Sequence, residues 1–180
     1  MTPEILQKTA SRIAAVALDV DGVLTGGEII LTPDGDELKF FNAKDGHGIR
    51  MLLKAGIAVA WITGRSSACN LRRAQDLGVT AVFQNTRDKL ETLKGWLQSL
   101  GLDPEADLAR VAYMGDDLPD LSVLNAVGLP SCPADAVSAV KAACTWVAPL
   151  PGGHGAVRAL SDEILAAQAA NKGDPAHAAP

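Results

Sequence analysis

Residues 13–25 of this 180-residue chain are IAAVALDVDGVLT. The first six of them are all apolar, which predicts a strand buried on both faces of a sheet. Asp19 and Asp21 end this run, and Gly22 follows directly. Open α/β sheets bind their ligands at the carboxyl ends of their strands. Packing two carboxylates there is costly unless a cation or a reaction requires them. The segment therefore predicts a metal-assisted aspartate site.

The rest of the chain alternates apolar runs with helical patterns, which is typical of a mostly parallel sheet with helices on both sides. We therefore predict an α/β, Rossmann-like three-layer sandwich. The predicted strands are 13–18, 57–62, 79–83, 110–114, 127–129 and 145–147. The predicted helices lie near 46–55, 67–77, 88–100, 119–125, 135–143 and 155–168.

One segment interrupts this alternation. Residues 28–41 contain two short stretches of strand-forming residues around Pro33-Asp34-Gly35-Asp36, which predicts a projecting β-hairpin with a tight turn. The Ala-rich end of the chain, residues 169–180, is predicted to be a flexible tail. Residues 1–168 then form a single domain.

Composition narrows the class of protein. A hydrophobic content of 48% indicates a globular chain, and a formal net charge of −5 argues against generic binding to nucleic acid or to an anionic membrane. The apolar runs are shorter than the roughly 20 residues of a membrane span. The cysteines, Cys69, Cys132 and Cys144, are widely spaced, a pattern typical of reduced thiols in a cytoplasmic protein.

Polar residues follow three further predicted strands. Because parallel strands end at the same edge of a sheet, we expect these residues to lie close to the two aspartates of the first strand. They are Thr63 and Gly64 after 57–62, Lys89 after 79–83, and Asp116, Asp117 and Asp120 after 110–114.

These residue types suit phosphoryl transfer. An aspartate such as Asp19 can attack phosphorus and form an aspartyl phosphate, while Asp21 can protonate the departing alcohol and later deprotonate water. Attack by a carboxylate on a phosphate needs charge neutralisation, which Mg²⁺ and an ammonium group supply. We predict as metal ligands Asp19, Asp21 and Asp116, as phosphate-binding residues Thr63, Gly64 and Lys89, and as support for the water shell of the metal Asp117 or Asp120.

The motifs DVDGVLT, ITGR, DK and GDDLPD, in this order, resemble those of the haloacid-dehalogenase-like phosphatase superfamily. The resemblance covers nearly the whole predicted domain. It implies a phosphatase rather than an ion pump, because the pump branch carries threonine at the position of Asp21.

The spacing of the motifs limits the architecture. The intervals from Asp21 to Thr63 and from Thr63 to Lys89 are too short for a cap domain, which needs on the order of 50 residues. Phosphoryl transfer nevertheless benefits from a site closed to water. The projecting apolar hairpin therefore predicts that a neighbouring subunit covers the site. The alternative is a hairpin that folds onto its own domain.

Two further segments, KFFNAKDGHGI at 39–49 and GGHGAVR at 152–158, are similar to one capless branch of that superfamily. This branch is the 3-deoxy-D-manno-octulosonate 8-phosphate phosphatases of lipopolysaccharide precursor synthesis. The resemblance implies Mg²⁺, an eight-carbon acid-sugar phosphate as substrate, and a homotetramer in which a neighbouring subunit covers the active site. It also implies substrate contacts from Asn42, Lys44 and Arg65, the last of these to the substrate carboxylate.

Three other functions stay open at this point. A phosphatase of a nine-carbon acid-sugar phosphate would use the same machinery. A phospho-receiver domain would carry its acceptor aspartate on the third strand, where this chain has Val82-Phe83-Gln84. A catalytically silent interaction module would not need the complete set of catalytic groups. The sequence leaves the roles of His47 and His154 unassigned.

Overall fold

The computed structural model describes residues 2–172. In chain order, its helices and strands are α1 (Pro3–Ala10), β1 (Ala15–Leu18), β2 (Ile30–Leu31), β3 (Glu37–Leu38), α2 (Ala43–Lys54), β4 (Ala58–Ile62), α3 (Ala68–Leu77), β5 (Ala81–Phe83), α4 (Lys89–Ser99), β6 (Val111–Met114), α5 (Leu121–Leu124), β7 (Leu129–Cys132), α6 (Ser138–Ala143), β8 (Trp146–Val147) and α7 (Ala156–Lys172). Short 3₁₀ segments cover Ala106–Arg110 and Leu118–Asp120.

The first apolar run becomes the centre of the sheet. In the described part of the chain, six parallel strands lie in the order β5-β4-β1-β6-β7-β8. Ala15 of β1 pairs with Ala58 on one side and with Val111 on the other. The chain leaves β1 toward β4 and later returns to the other side of β1 as β6, so the ligand-binding crevice is expected at the carboxyl end of β1.

Side chains of β1 alternate between two hydrophobic cores, one on each face of the sheet. Val16 and Leu18 pack into the core formed with α2, α3 and α7, whereas Ala15 and Ala17 pack into the core formed with α4, α5 and α6. The molecule is thus a three-layer sandwich, which confirms the predicted fold class. Within residues 2–172, none of the helices has both the length and the apolar character needed to cross a bilayer.

The hairpin forms a small sheet of its own. β2 and β3 are antiparallel, with Ile30 paired to Leu38 and Leu31 paired to Glu37. The paired strands are two residues each, shorter than the predicted hairpin of residues 28–41. At its base, Phe41 stacks on Trp61 of β4 with ring centroids 6.0 Å apart.

The last helix extends beyond the predicted end of the domain. α7 continues to Lys172, so residues 169–172 of the predicted flexible tail are helical, whereas 173–180 lie outside the described residues. The side-chain amide of Gln168 donates a hydrogen bond of 2.9 Å to the carbonyl of Ile13. This bond and the burial of Ala167 anchor the helix beside the start of β1.

One helix and one strand differ from the prediction made from sequence. α1 was not predicted, although Thr2 caps it and Pro3 occupies its first turn, two signals typical of a helix start. β7 begins at Leu129 and runs to Cys132, later than the predicted 127–129. Proline is disfavoured inside a strand because it has no N–H to donate, so sequence rules place the strand elsewhere. The carbonyl of Pro130 nevertheless accepts a hydrogen bond from the Thr145 N–H.

Candidate active site

The ends of β1, β4 and β6 and the start of α4 enclose a cavity of about 290 Å³. Most of the residues predicted from the motifs lie around it. Its lining is Asp19, Asp21, Gly27, Thr63, Gly64, Arg65, Thr86, Lys89, Asp116, Asp117, Pro119 and Asp120.

Asp19 is the residue that directly follows β1, and two contacts fix its carboxylate. One oxygen, Oδ1, accepts a hydrogen bond of 2.7 Å from the Val20 N–H, and the other, Oδ2, lies 3.0 Å from the Lys89 ammonium. The side chain is almost completely buried. Burial, followed by the negative charge of Asp120, raises the pKa of Asp19 to about 7.

Lys89 and Asp120 form a buried pair beneath the cavity. The Lys89 ammonium donates to Asp120 Oδ1 at 2.7 Å. Asp120 also accepts from the Tyr113 hydroxyl at 2.6 Å and from the backbone N–H groups of Asp116 and Asp117. Burial lowers the pKa of Lys89, but the charges of Asp19 and Asp120 outweigh this effect and raise it, so the ammonium form is favoured.

Three carboxylates are close enough to hold a divalent cation. Oxygens of Asp19, Asp116 and Asp120 all lie within 4.8 Å of one another. Asp116 Oδ1 is buried, and within residues 2–172 it has no hydrogen-bond partner. Burial and the neighbouring charges of Asp19 and Asp120 raise the pKa of Asp116 to about 8. Such a cluster of oxygen ligands with uncompensated charge fits Mg²⁺.

The three carboxylates differ in what they offer to a metal. Both oxygens of Asp120 are already hydrogen-bonded within the protein, which suits a supporting role, whereas Asp116 has an oxygen to spare. The Asp117 side chain accepts a hydrogen bond from the Leu118 N–H. Asp21 lies outside the three-carboxylate group, so its role as a metal ligand stays a prediction.

Glycine is required where the loop after β1 passes Asp116. Gly22 has a φ of +87°, and a Cβ at this position would overlap the Asp116 carboxylate. The other side of this loop is supported by Gly153, whose N–H donates to the Val23 carbonyl at 2.9 Å. Asp45 in turn accepts from the N–H groups of Gly155 and Arg158. The segment 152–158 therefore fixes the loop that carries Asp19 and Asp21.

The phosphate-binding prediction places Thr63 and Gly64 at the end of β4, and both line the cavity. The Thr63 hydroxyl oxygen accepts a hydrogen bond of 3.2 Å from the Arg65 N–H, which leaves its own proton available to a phosphate oxygen. Thr86, after β5, also lines the cavity and was not assigned by the sequence analysis. Thr86 lies three residues before Lys89, and both follow the predicted strand 79–83, so the rule that selected Lys89 could also have selected Thr86.

Asp21 turns toward the hairpin. Its Oδ1 is paired with the ammonium of Lys39, a side chain that is 2% exposed, and its Oδ2 lies 3.9 Å from the Arg65 guanidinium. Arg65 itself donates to Glu37 at 2.7 Å. The sequence analysis did not assign Lys39 or Glu37 to the site, because both belong to a hairpin whose path past Asp21 depends on the tertiary fold.

Three other side chains singled out by sequence lie away from the cavity lining. Asn42 caps α2 by accepting a hydrogen bond from the Lys44 N–H at 2.8 Å, and Lys44 is exposed. The ring of His154 contacts the Gly152 carbonyl. The substrate contacts predicted for Asn42 and Lys44 stay predictions.

Known proteins resemble the chain over most of its length. The 3-deoxy-D-manno-octulosonate 8-phosphate phosphatase KdsC of Salmonella typhimurium is 40% identical over 168 residues, which cover 93% of this chain and 87% of that protein. This chain belongs to the 3-deoxy-D-manno-octulosonate 8-phosphate phosphatase family. No protein-family profile matches it.

Solved structures of 3-deoxy-D-manno-octulosonate 8-phosphate phosphatases share the fold. The Yersinia pestis enzyme is 40% identical with a TM-score of 0.88, and the alignment covers 94% of this chain and 90% of that one. The Moraxella catarrhalis enzyme, solved with magnesium, phosphate and KDO, is 38% identical with a TM-score of 0.89 and coverages of 93% and 94%. Membership of this family confirms the predicted enzyme class, a phosphoric monoester hydrolase, over a phospho-receiver domain.

Proposed function

We propose that this chain hydrolyses 3-deoxy-D-manno-octulosonate 8-phosphate to 3-deoxy-D-manno-octulosonate and phosphate, with Mg²⁺ as cofactor, in lipopolysaccharide precursor synthesis. The observation that carries the proposal is the meeting of Asp19, Lys89 and Asp116 at one cavity in a chain of this family. The cavity thus combines a nucleophile, a buried cation and a free metal ligand, which are the groups that phosphoryl transfer needs.

In the first half of the reaction, a carboxylate oxygen of Asp19 attacks phosphorus and the bond from phosphorus to the sugar oxygen breaks. Asp21 donates a proton to that oxygen, so the sugar departs as an alcohol. Thr63, Gly64 and Lys89 hold the oxygens of the transferring phosphoryl group. Asp120 keeps Lys89 in place through their 2.7 Å contact.

In the second half, water attacks the phosphorus of the aspartyl phosphate while the Asp21 carboxylate takes a proton from that water. The bond between phosphorus and the Asp19 oxygen breaks, which releases phosphate and restores the nucleophile. Mg²⁺, held by Asp19 and Asp116, would neutralise charge on the carboxylate and phosphate oxygens. Asp117 and Asp120 would support this arrangement.

The covered form of the site is part of the proposal. Leu31 and Phe40 of the hairpin are 64% and 71% exposed, which supports a homotetramer in which a neighbouring subunit closes the cavity. Arg65 lines the cavity with a side chain that is 45% exposed, and it would exchange its contact with Glu37 for one with the substrate carboxylate. The free thiols of Cys69, Cys132 and Cys144 support a cytoplasmic location.

Phosphate release from a panel of sugar phosphates tests the assignment. The panel contains the eight-carbon acid-sugar 8-phosphate, a nine-carbon acid-sugar 9-phosphate and a neutral hexose phosphate, each with Mg²⁺ and with a chelator. We expect kcat/KM for the eight-carbon substrate to exceed that for the neutral hexose phosphate by at least about a hundredfold, because the hexose has no carboxylate for Arg65. It should also exceed kcat/KM for the nine-carbon substrate, and activity should vanish with the chelator. Preference for the nine-carbon substrate would move the assignment to that class.

A further inference from the structure

Lys39 is the buried cation nearest to Asp21, yet it lies outside the cavity lining. Its side chain is 2% exposed, and its ammonium pairs with Asp21 Oδ1. The second carboxylate near it, Glu37, is farther away at 3.8 Å and is held by Arg65 at 2.7 Å. A buried ammonium needs a charged partner, so Asp21 is the group that fixes Lys39 and is fixed by it.

The two oxygens of Asp21 are therefore not equivalent. Oδ1 is held by Lys39, whereas Oδ2 is buried and has no hydrogen-bond partner among residues 2–172. Arg65 is 3.9 Å from Oδ2, too far for a hydrogen bond. Asp21 lines the cavity, and Oδ2 is the oxygen of its carboxylate that residues 2–172 leave without a hydrogen-bond partner, so we take Oδ2 as the oxygen available to a group bound there.

We propose that Lys39 is a positioning residue for Asp21: it tethers Oδ1 to the hairpin and leaves Oδ2 to exchange the proton with the departing alcohol and with water. This inference rests on the proposed role of Asp21 as general acid and base. It adds a function to the hairpin, because β3 and the residue that follows it then set the orientation of a catalytic group. Proton transfer requires the acid within hydrogen-bond reach of the leaving oxygen, so a loose Asp21 loses this step first.

The test compares two small substrates that lack a carboxylate and differ in the leaving group. Benzyl phosphate releases a basic alkoxide that needs a proton, whereas p-nitrophenyl phosphate releases a stable phenolate that does not. We expect Lys39→Met to lower kcat/KM for benzyl phosphate about tenfold or more, and that for p-nitrophenyl phosphate less than about threefold. Lys39→Arg should recover part of the loss, since it restores the charge.

A double-mutant cycle with Asp21→Asn separates positioning from other effects. If Lys39 acts through Asp21, adding Lys39→Met to Asp21→Asn costs no further benzyl phosphate activity beyond about twofold. Lys54→Met, a change of an exposed lysine at the end of α2, serves as the matched control and should leave both substrates unchanged. Circular dichroism reports whether each variant is folded, because loss of the Asp21 base also slows hydrolysis of the aspartyl phosphate formed from either substrate.

Failure of the inference and failure of the proposed function give different results. If Asp21→Asn selectively impairs benzyl phosphate but Lys39→Met lowers both substrates equally, or adds in full to Asp21→Asn, Lys39 does not position the acid. If Asp21→Asn itself shows no dependence on the leaving group, the general-acid role of Asp21 is wrong, and the proposed function fails at that step.

Discussion

At the edge of the parallel sheet, Asp19, Lys89 and Asp120 are buried and paired within one chain, whereas Leu31 and Phe40 of the hairpin face solvent. Lys89 contacts both Asp19 and Asp120 directly. Leu31 and Phe40, on the hairpin that also carries Lys39, are 64% and 71% exposed in the single chain. The groups proposed to act on phosphorus thus come from a single chain, while the hairpin side exposes surface that suits a second copy.

The largest loss of activity is expected from a substitution at the sheet edge. Asp19→Asn keeps the shape of the side chain but removes the nucleophile, so kcat for the sugar phosphate should fall by at least about a thousandfold. Asp162→Asn, at an exposed position of α7, is the matched control. Phosphate release measures both variants.

The same substitution should not unfold the protein. Because burial and Asp120 raise the pKa of Asp19, a neutral amide at this position relieves repulsion in the metal-free chain. Its thermal midpoint without Mg²⁺ should therefore equal or exceed that of the unmodified chain. Turnover close to normal would mean that another residue receives the phosphoryl group.

A smaller effect is expected at the hairpin. Leu31→Asp places a charge on the exposed face of β2, which should disrupt association and shift the mass measured by light scattering from tetramer toward monomer. Once the site loses its cover, kcat/KM for the sugar phosphate should fall about tenfold or more. Leu100→Asp, at an exposed leucine after α4, is the control and should leave the mass unchanged. A monomeric unmodified chain would contradict the assembly.

The sheet edge could be predicted from sequence, and the physical reason is topological. Parallel strands end at one edge, so Asp19, Thr63, Lys89 and Asp116 had to meet once each was placed after a strand. No sequence pattern specifies the oxygen of Asp21 that Lys39 binds. That contact depends on how the hairpin folds back over the loop after β1, and such long-range geometry has no periodic signal.

The same difference explains the errors in element bounds. β1 is a continuous apolar run, and its end at Leu18 was predicted correctly although the strand starts at Ala15 rather than at residue 13. β7 contains Pro130 and Ser131, and both of its ends were placed too early. α7 was predicted too short because its last turns are Ala-rich, a composition that local rules also associate with disorder. A tertiary bond from Gln168 to Ile13 keeps that end of the helix in place.

The smallest effect concerns the stability of the sheet edge with and without Mg²⁺. In the unfolded chain Asp116 and Asp19 ionise near pH 4, but in the folded, metal-free chain their pKa values rise to about 8 and about 7. Their contribution to stability therefore becomes less favourable as pH rises from 4 to 8. Mg²⁺ binds the ionised carboxylates and removes this penalty, whereas protons occupy the same groups below about pH 6.

Saturating Mg²⁺ should accordingly raise the thermal midpoint by about 5 °C at pH 8.5 and by little at pH 5. Differential scanning calorimetry at both pH values measures the shift. Asp116→Asn should abolish most of the difference between them, whereas Asp162→Asn should retain it in full. An equal shift at both pH values would place the cation away from Asp19 and Asp116, and the chemistry assigned to the sheet edge would then lose its metal site.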